Sequence, residues 1–314
     1  MDSLAVVTET PIVETAPSLE ELLKAFVKAQ DVSDSSRDTY SRQLKLHALW
    51  LTETGRAERL GTLRREDILE YKDWLRASGR TALSANGYLT AARKFYGWLE
   101  SERIFPDISR GVKGFRKPRS FSKDCLTKEQ VKDVLRSLRT SSLEGLRDYA
   151  LVNLMARTGL RDIEVARAKV EDIRQESGET VLWIQGKGRD SKDAFVLLTP
   201  EAEKPLRQWL QIRGEVAPED FLFCSFSDRN RGQGLTTRSI SRIVKKSFQS
   251  VGLDSGRLTA HSLRHTAITM ALRGGASLEQ AQAMARHSDP KTTMIYAHNL
   301  TRVQDGAERY ISFD

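Results

Sequence analysis

The feature that most constrains how this chain can fold is a break about one third of the way along it. Residues 106–123 carry Arg110, Lys113, Arg116, Lys117, Arg119 and Lys123 against a single acid, Asp107, and are punctuated by Gly111, Gly114 and Pro118. No apolar periodicity crosses this stretch. The chain therefore reads as two separately cored domains joined by a basic linker at 105–124. A tether of this charge is either simply solvated or laid along a phosphate backbone, with Arg116, Lys117 and Arg119 as the candidate contacts.

Before the break, the pattern is helical throughout. Residues 1–17 form an expected flexible tail with no Lys or Arg, so they lack the basic start of a secretory signal. Ser18 and Glu21 make a capping-box pair, followed by an apolar stripe through Leu19, Leu22, Leu23, Phe26 and Val27. Three further stripes follow, through Tyr40, Leu44 and Leu51, through Ile68, Tyr71, Trp74 and Leu75, and through Leu89, Ala92, Phe95, Trp98 and Leu99. Four helices with short connections predict a small all-α domain over 18–104.

After the break, residues 125–314 alternate between the two periods. A run at 143–158 is apolar nearly all round, as a central core helix must be. Residues 179–184 and 194–198 are β-rich and joined by Gln185-Gly-Lys-Gly-Arg-Asp-Ser-Lys-Asp193, which predicts a hairpin with a basic tip. Helices are expected at 200–213, 236–251, 261–273, 277–285 and 290–298, with one more short helix at 300–310. The 236–251 helix carries Arg238, Arg242, Lys245 and Lys246 and no acid, which makes it a candidate DNA-binding face. The predicted class is mainly α with a small β-hairpin.

Charge points the same way. Lys and Arg number 50 against 42 Asp and Glu, a net charge of +8, which suits a polyanionic partner. The two cysteines, Cys125 and Cys224, have neither disulfide-framework nor zinc-ribbon spacing, and are expected to be small buried or half-buried thiols in a reducing cytoplasm. No apolar run approaches the ~20 residues of a membrane span.

The chemistry collects near the C-terminus. Four of the five histidines, His261, His265, His287 and His298, lie there, and His261 and Arg264 share a helical face. Cleaving a phosphodiester with a side chain requires a nucleophile, cationic donors for the equatorial oxygens, a proton donor for the leaving oxygen and an in-line scaffold. Guanidinium forks are natural donors, and a tyrosine near pKa 10 needs nearby positive charge to act as nucleophile. Arg161 in Thr158-Gly-Leu-Arg-Asp-Ile-Glu164, Lys187 at the hairpin tip, Arg264, His287 and Tyr296 offer those parts. Singly, each has a plainer reading. Arg161 could pair with Glu164, His261 and His265 could be core histidines or a zinc pair, and Tyr296 could be a packing residue.

In this order, however, Arg161, Lys187, His261-x-x-Arg264, His287 and Tyr296, with the TGLR-x-x-E box, the GKG hairpin and the H-x-LRHT helix, resemble the tyrosine recombinases of the phage integrase family. The layout is similar to the Xer-like and mobile-element integrases. The resemblance implies a SAM-like core-binding domain and an α+β catalytic domain, closing as a C-shaped clamp on DNA. It implies that Tyr296 attacks the scissile phosphate to give a 3′-phosphotyrosyl bond and a free 5′-hydroxyl. Arg161 and Arg264 would hold the non-bridging oxygens with help from His287, Lys187 would protonate the leaving oxygen, and His261 would handle protons. Glu164 would orient Arg161.

Strand exchange through a Holliday junction, in a homo-tetramer on two duplexes with a specific site, is implied without cofactor, metal or ATP. Accessory DNA-bending or directionality proteins and a place in the prokaryotic cytoplasm, at the nucleoid, belong to the same expectation. So does a C-terminal tail that docks either on its own subunit or on a neighbour. A type IB topoisomerase shares the chemistry, and a cleavage-dead DNA-binding regulator would share the fold. The complete residue set argues against the second, and the short chain and Xer-like layout against the first.

The chain departs from the family at three places. Ala285-Arg286-His287 stands where Leu-Gly-His is common, which suggests Arg286 as a further phosphate contact. Arg167 and Ala168 replace small and leucine-like residues, and Ala194 replaces a common arginine. Lys192 is a competitor to Lys187 for the acid role.

Overall fold

A computed structural model of the chain describes residues 17–116, 124–138, 141–186, 188–304 and 311–312, with only the backbone described at 298–304. The expected tail, Lys117, Arg119, Lys187 and most of the expected 300–310 helix lie outside the described residues. The chain divides into two compact units, the first ending at Arg119 and the second starting at Ser120.

In the first unit, α1 (Leu19–Ala29), α2 (Asp34–Glu53), α3 (Arg65–Ala77) and α4 (Ala82–Ser101) follow the four stripes. The Ser18 cap forms as its sequence dictates: the Glu21 carboxylate accepts the Ser18 N–H at 2.8 Å, and the Ser18 hydroxyl accepts the Glu21 N–H at 3.3 Å. Phe26, Leu51, Ile68, Tyr71, Leu75, Phe95, Tyr96 and Leu99 are fully enclosed. Among them sits His47, whose Nε2 lies 3.1 Å from the Tyr96 hydroxyl. Burial drives its pKa down to about 3, so it is a neutral core histidine.

Of the linker expected at 105–124, residues 117–123 lie outside the described residues, and residues 105–116 can be followed on the first unit. Val112 is 1% exposed in the first core, and the Asn86 side chain brackets Phe115, accepting its N–H and donating to its carbonyl, both at 2.9 Å. Residues 105–116 therefore pack on the first unit. Glycine and basic content was misleading there because two apolar anchors and one asparagine suffice to fix the backbone.

In the second unit, α5 (Lys128–Ser137) leads to α6 (Leu143–Thr158), whose Ala150, Leu151, Val152, Leu154 and Met155 have no exposed surface. This central helix packs against α8 (Pro200–Arg213) and α10 (Ala260–Arg273). Between α7 (Asp162–Arg167) and α8, the chain forms an antiparallel sheet of β1 (Ile173–Glu176), β2 (Glu179–Ile184) and β3 (Ala194–Leu197), in that order. Ile173 pairs with Leu182, and Val181 with Leu197. β1 has no β-like composition (IRQE). It is recruited by the tight Ser177-Gly178 turn, both residues at positive φ, and completes a three-stranded sheet where two strands were expected.

Three helices finish the unit: α9 (Thr237–Gln249), α11 (Leu278–Ala285) and α12 (Pro290–Gln304). α12 runs unbroken through position 300, where separate helices were expected. Cys224 is buried, but Cys125 is exposed rather than half-buried.

Candidate active site

The site is assembled from helix ends. α6 stops at Gly159, whose φ of 63° turns the chain sharply. Two residues later Arg161 caps the start of α7, with Glu164 in its first turn. Glu164, 1% exposed, accepts the Arg161 backbone N–H at 2.8 Å and an Arg161 guanidinium N–H at 2.8 Å. Sequence spacing allowed this pair, and the fold adds a third partner. The Arg286 guanidinium reaches the same carboxylate at 2.8 Å. Burial alone would raise the Glu164 pKa, but the Arg286 charge and the bonds from Arg161 outweigh it and hold the group ionised.

Arg264 lies on α10 and is 1% exposed. One amino group donates to the Gly159 carbonyl at 2.7 Å and the other to the Ala285 carbonyl. Both acceptors are carbonyls at helix C-terminal ends, which lack intrahelical partners and carry negative partial charge. A guanidinium has five N–H donors, so these anchors leave others for a ligand. Burial, and then the charges of Arg161 and Arg286, push the Arg264 pKa down to about 9.

Tyr296 projects from α12 into this cluster and is 4% exposed. Its hydroxyl lies 2.6 Å from His265 Nδ1, and its ring stacks against His287 with centroids 6.2 Å apart. Burial pushes the phenol up to about 12, while Arg264 and Arg161 pull against it. His287 is fixed by a 2.8 Å contact between Nδ1 and the Thr293 hydroxyl. Burial, together with Arg264, Arg161, Arg286 and His261, lowers it to about 4, so it is neutral near pH 7. His261 is exposed, with its ring edge-on to His265 at 4.6 Å.

The fold thus brings Arg161, Glu164, Arg264, His287 and Tyr296 into one cluster, with His261 at its edge beside His265. Lys187 lies outside the described residues. The base of its hairpin is tied to the site through Arg167, which donates to the Gly186 carbonyl at 3.1 Å. Lys192, the competing acid, is occupied elsewhere: its ammonium lies 2.5 Å from the fully buried Asp172. Arg286 is not an outward phosphate contact: its two amino groups are engaged by the Met284 carbonyl and Glu164, and its Nε is buried.

His265, open in the sequence as a core histidine or one of a zinc pair, is the residue sequence reasoning leaves out of the candidate site. It follows Arg264 directly, so it points about 100° away around α10. The arrival of α12 against that side brings the Tyr296 hydroxyl to its Nδ1.

Of the DNA-binding candidates, Arg238, Arg242 and Lys246 recur every four residues along α9 and are all exposed. Lys245 faces another way and is paired with Asp254 at 2.8 Å, so it leaves that stripe. Arg116 is exposed in the first unit.

Known proteins resemble this chain over both units. Residues 124–302 match the phage integrase family profile, and residues 19–103 match the phage integrase N-terminal SAM-like domain profile. The XerD tyrosine recombinase of Ralstonia nicotianae is 30% identical over 294 residues, covering 90% of this chain and 91% of that protein. That of Listeria innocua is 27% identical over 286 residues, covering 89% and 93%.

Among solved structures, the XerH site-specific recombinase bound to palindromic difH substrate aligns with a TM-score of 0.73 at 21% identity, covering 93% of this chain and 84% of that one. A lambda integrase dimer bound to a COC′ core site aligns at 0.67 and 15% identity, covering 88% and 97%. With one profile spanning more than half its length and the other its helical first unit, this chain belongs to the phage integrase family of tyrosine recombinases, enzymes that cut and rejoin DNA.

Proposed function

We propose that this recombinase cleaves one strand of a specific duplex site through Tyr296. Its hydroxyl passes its proton to the adjacent His265–His261 pair and attacks the scissile phosphate, a 3′-phosphotyrosyl bond forms, and the bond to the 5′ oxygen breaks. Arg161 and the free donors of Arg264 bind the two non-bridging oxygens, and His287 contributes a third contact. Lys187 gives its proton to the departing 5′ oxygen, and His261 assists proton movement at the exposed edge. The phosphotyrosyl linkage conserves the phosphodiester bond energy, so a 5′-hydroxyl from a partner strand reseals it without ATP. Repeated on two duplexes by four subunits, the reaction passes through a Holliday junction. The bacterial cytoplasm is where such DNA is met.

One observation carries this reading: the buried Tyr296 hydroxyl lies 2.6 Å from His265 with its ring stacked on His287, beside Arg161 and Arg264, whose charges offset part of the burial that raises the phenol to about 12. A phenol among unreactive packing groups would have no such company. The occupied state of Lys192 favours Lys187 as the acid. Duplex contact is assigned to the α9 stripe of Arg238, Arg242 and Lys246 and to the 116–119 segment with Arg116, Lys117 and Arg119.

The test is a nicked suicide duplex carrying a site selected by binding from a randomised DNA pool. The native chain should form a covalent adduct stable to denaturing electrophoresis, and Tyr296→Phe should form none. Sedimentation with two duplexes should then show a four-subunit synaptic complex. A native chain that leaves no adduct, or a Phe variant that still forms it, would sink the mechanism.

A further inference from the structure

Arg286 occupies a backbone position that disfavours it. It ends α11 with φ 53° and ψ 47°, the left-handed region where glycine is preferred. The chain accepts that strain and then turns the guanidinium inward. The side chain is 12% exposed, against 30% for Arg161. One amino group donates to the Met284 carbonyl at 2.6 Å; the other lies 2.8 Å from Glu164 and 3.5 Å from the Gly159 carbonyl that also anchors Arg264. Arg286 therefore stands behind the clamp, bonded to the same two groups that hold the front pair of arginines.

We propose that Arg286 is a positioning residue for strand cleavage: it neutralises Glu164, so that this carboxylate orients Arg161 without cancelling the positive charge that Arg161 and Arg264 present to a phosphate. This rests on the phosphate-clamp reading above. A buried carboxylate is effective at fixing a guanidinium because it accepts from both the backbone and the side chain of Arg161. The same burial makes its charge felt strongly across the site. Without a second cation, Glu164 would offset one of the two clamp arginines. The pair Glu164–Arg286 supplies the orienting acceptor with its charge already compensated.

Arg286→Gly suits the local backbone and deletes the guanidinium. Against the native chain it should still fold and bind duplex, and form the Tyr296 adduct at least tenfold more slowly in single turnover. In the Glu164→Gln background, where no carboxylate charge remains, the same change should cost less than threefold. A native rate in Arg286→Gly, or an equal loss in both backgrounds, overturns the proposal, the second because packing alone would produce it. Should the glycine variant fail to fold, Arg286→Lys and Arg286→Gln take its place. Lysine should stay within threefold of native and glutamine fall tenfold, and equal rates refute the idea.

Binding of inorganic sulfate to the DNA-free protein probes the clamp without any cleavage. It should weaken at least severalfold in Arg286→Gly, and undiminished affinity counts against the proposal. A native chain that binds sulfate but forms no adduct would defeat the cleavage mechanism while leaving the Arg286 comparison decisive.

Discussion

The Tyr296 hydroxyl and His265 Nδ1 are 2.6 Å apart inside the second unit. Burial, reinforced by His261 and Arg264, lowers His265 to about 4, and burial raises the phenol to about 12. Near neutral pH the phenol therefore keeps its proton and the imidazole is neutral, and in the Nε2–H tautomer His265 Nδ1 accepts the phenol O–H. Removing the acceptor by His265→Ala should slow adduct formation about tenfold, the worth of one buried hydrogen bond at about 1.4 kcal/mol. His265→Asn, which keeps an acceptor near Nδ1, should retain most of the rate. Single-turnover kinetics on the suicide duplex measure both.

The two hairpin lysines should separate cleanly. Lys192→Ala leaves Asp172, fully buried and otherwise bonded to the Lys169 N–H, without its ammonium. It should lose about 2 kcal/mol of stability in urea titration, yet cleave within about threefold of native. Lys187→Ala should cleave at least ~100-fold more slowly, the scale of general-acid catalysis. A duplex with a 5′-bridging sulfur leaving group, which needs no proton, should restore it.

Gly159 carries two duties at one residue. Its φ of +63° is strained for any side chain, and an added Cβ would meet the Ala267 Cβ at 3.4 Å. Its carbonyl anchors Arg264. Gly159→Ala should destabilise the protein by about 1–2 kcal/mol and slow cleavage as well, since the clamp arginine shifts with its acceptor. Calorimetry and adduct kinetics on the same preparation check the pair of effects.

The first unit should be acid-sensitive through His47. Its folded pKa of about 3 lies below the unfolded value near 6.5, so the native state binds fewer protons. The contribution is complete above pH 6.5 and erodes as pH falls toward 3, with about 2 kcal/mol of it lost by pH 5 by linkage. His47→Gln cannot titrate. Between pH 7 and pH 5 it should therefore lose about 2 kcal/mol less stability than the native chain in denaturant unfolding of that unit.

Much of the candidate site was readable because its parts are local or ordered along the chain. The Ser18–Glu21 cap, the α6 core helix and the Arg161–Glu164 pair rest on spacings of three or four residues. Those spacings fix which side chains meet on a helix. The apolar stripes of α1 to α4 likewise specify which faces must be buried, though not how far the unit extends. Residues 105–116 joined it through Val112 and Asn86, whose partners lie across the unit.

Residue types and their order determined the candidate nucleophile, the candidate clamp arginines and the two-part architecture, since these depend on chemistry and on periodicity. Tertiary structure alone decided three things: that Tyr296 meets His265, that Lys192 is spent on Asp172, and that Arg286 shares Glu164 instead of facing outward. Each of these contacts joins segments 20 or more residues apart, where helix ends and a sheet edge arrive from different directions. No local periodicity encodes such a meeting. It follows from the packing of α7, α10, α11 and α12 around one set of buried charges, whose partners must be found inside the fold because water is excluded there.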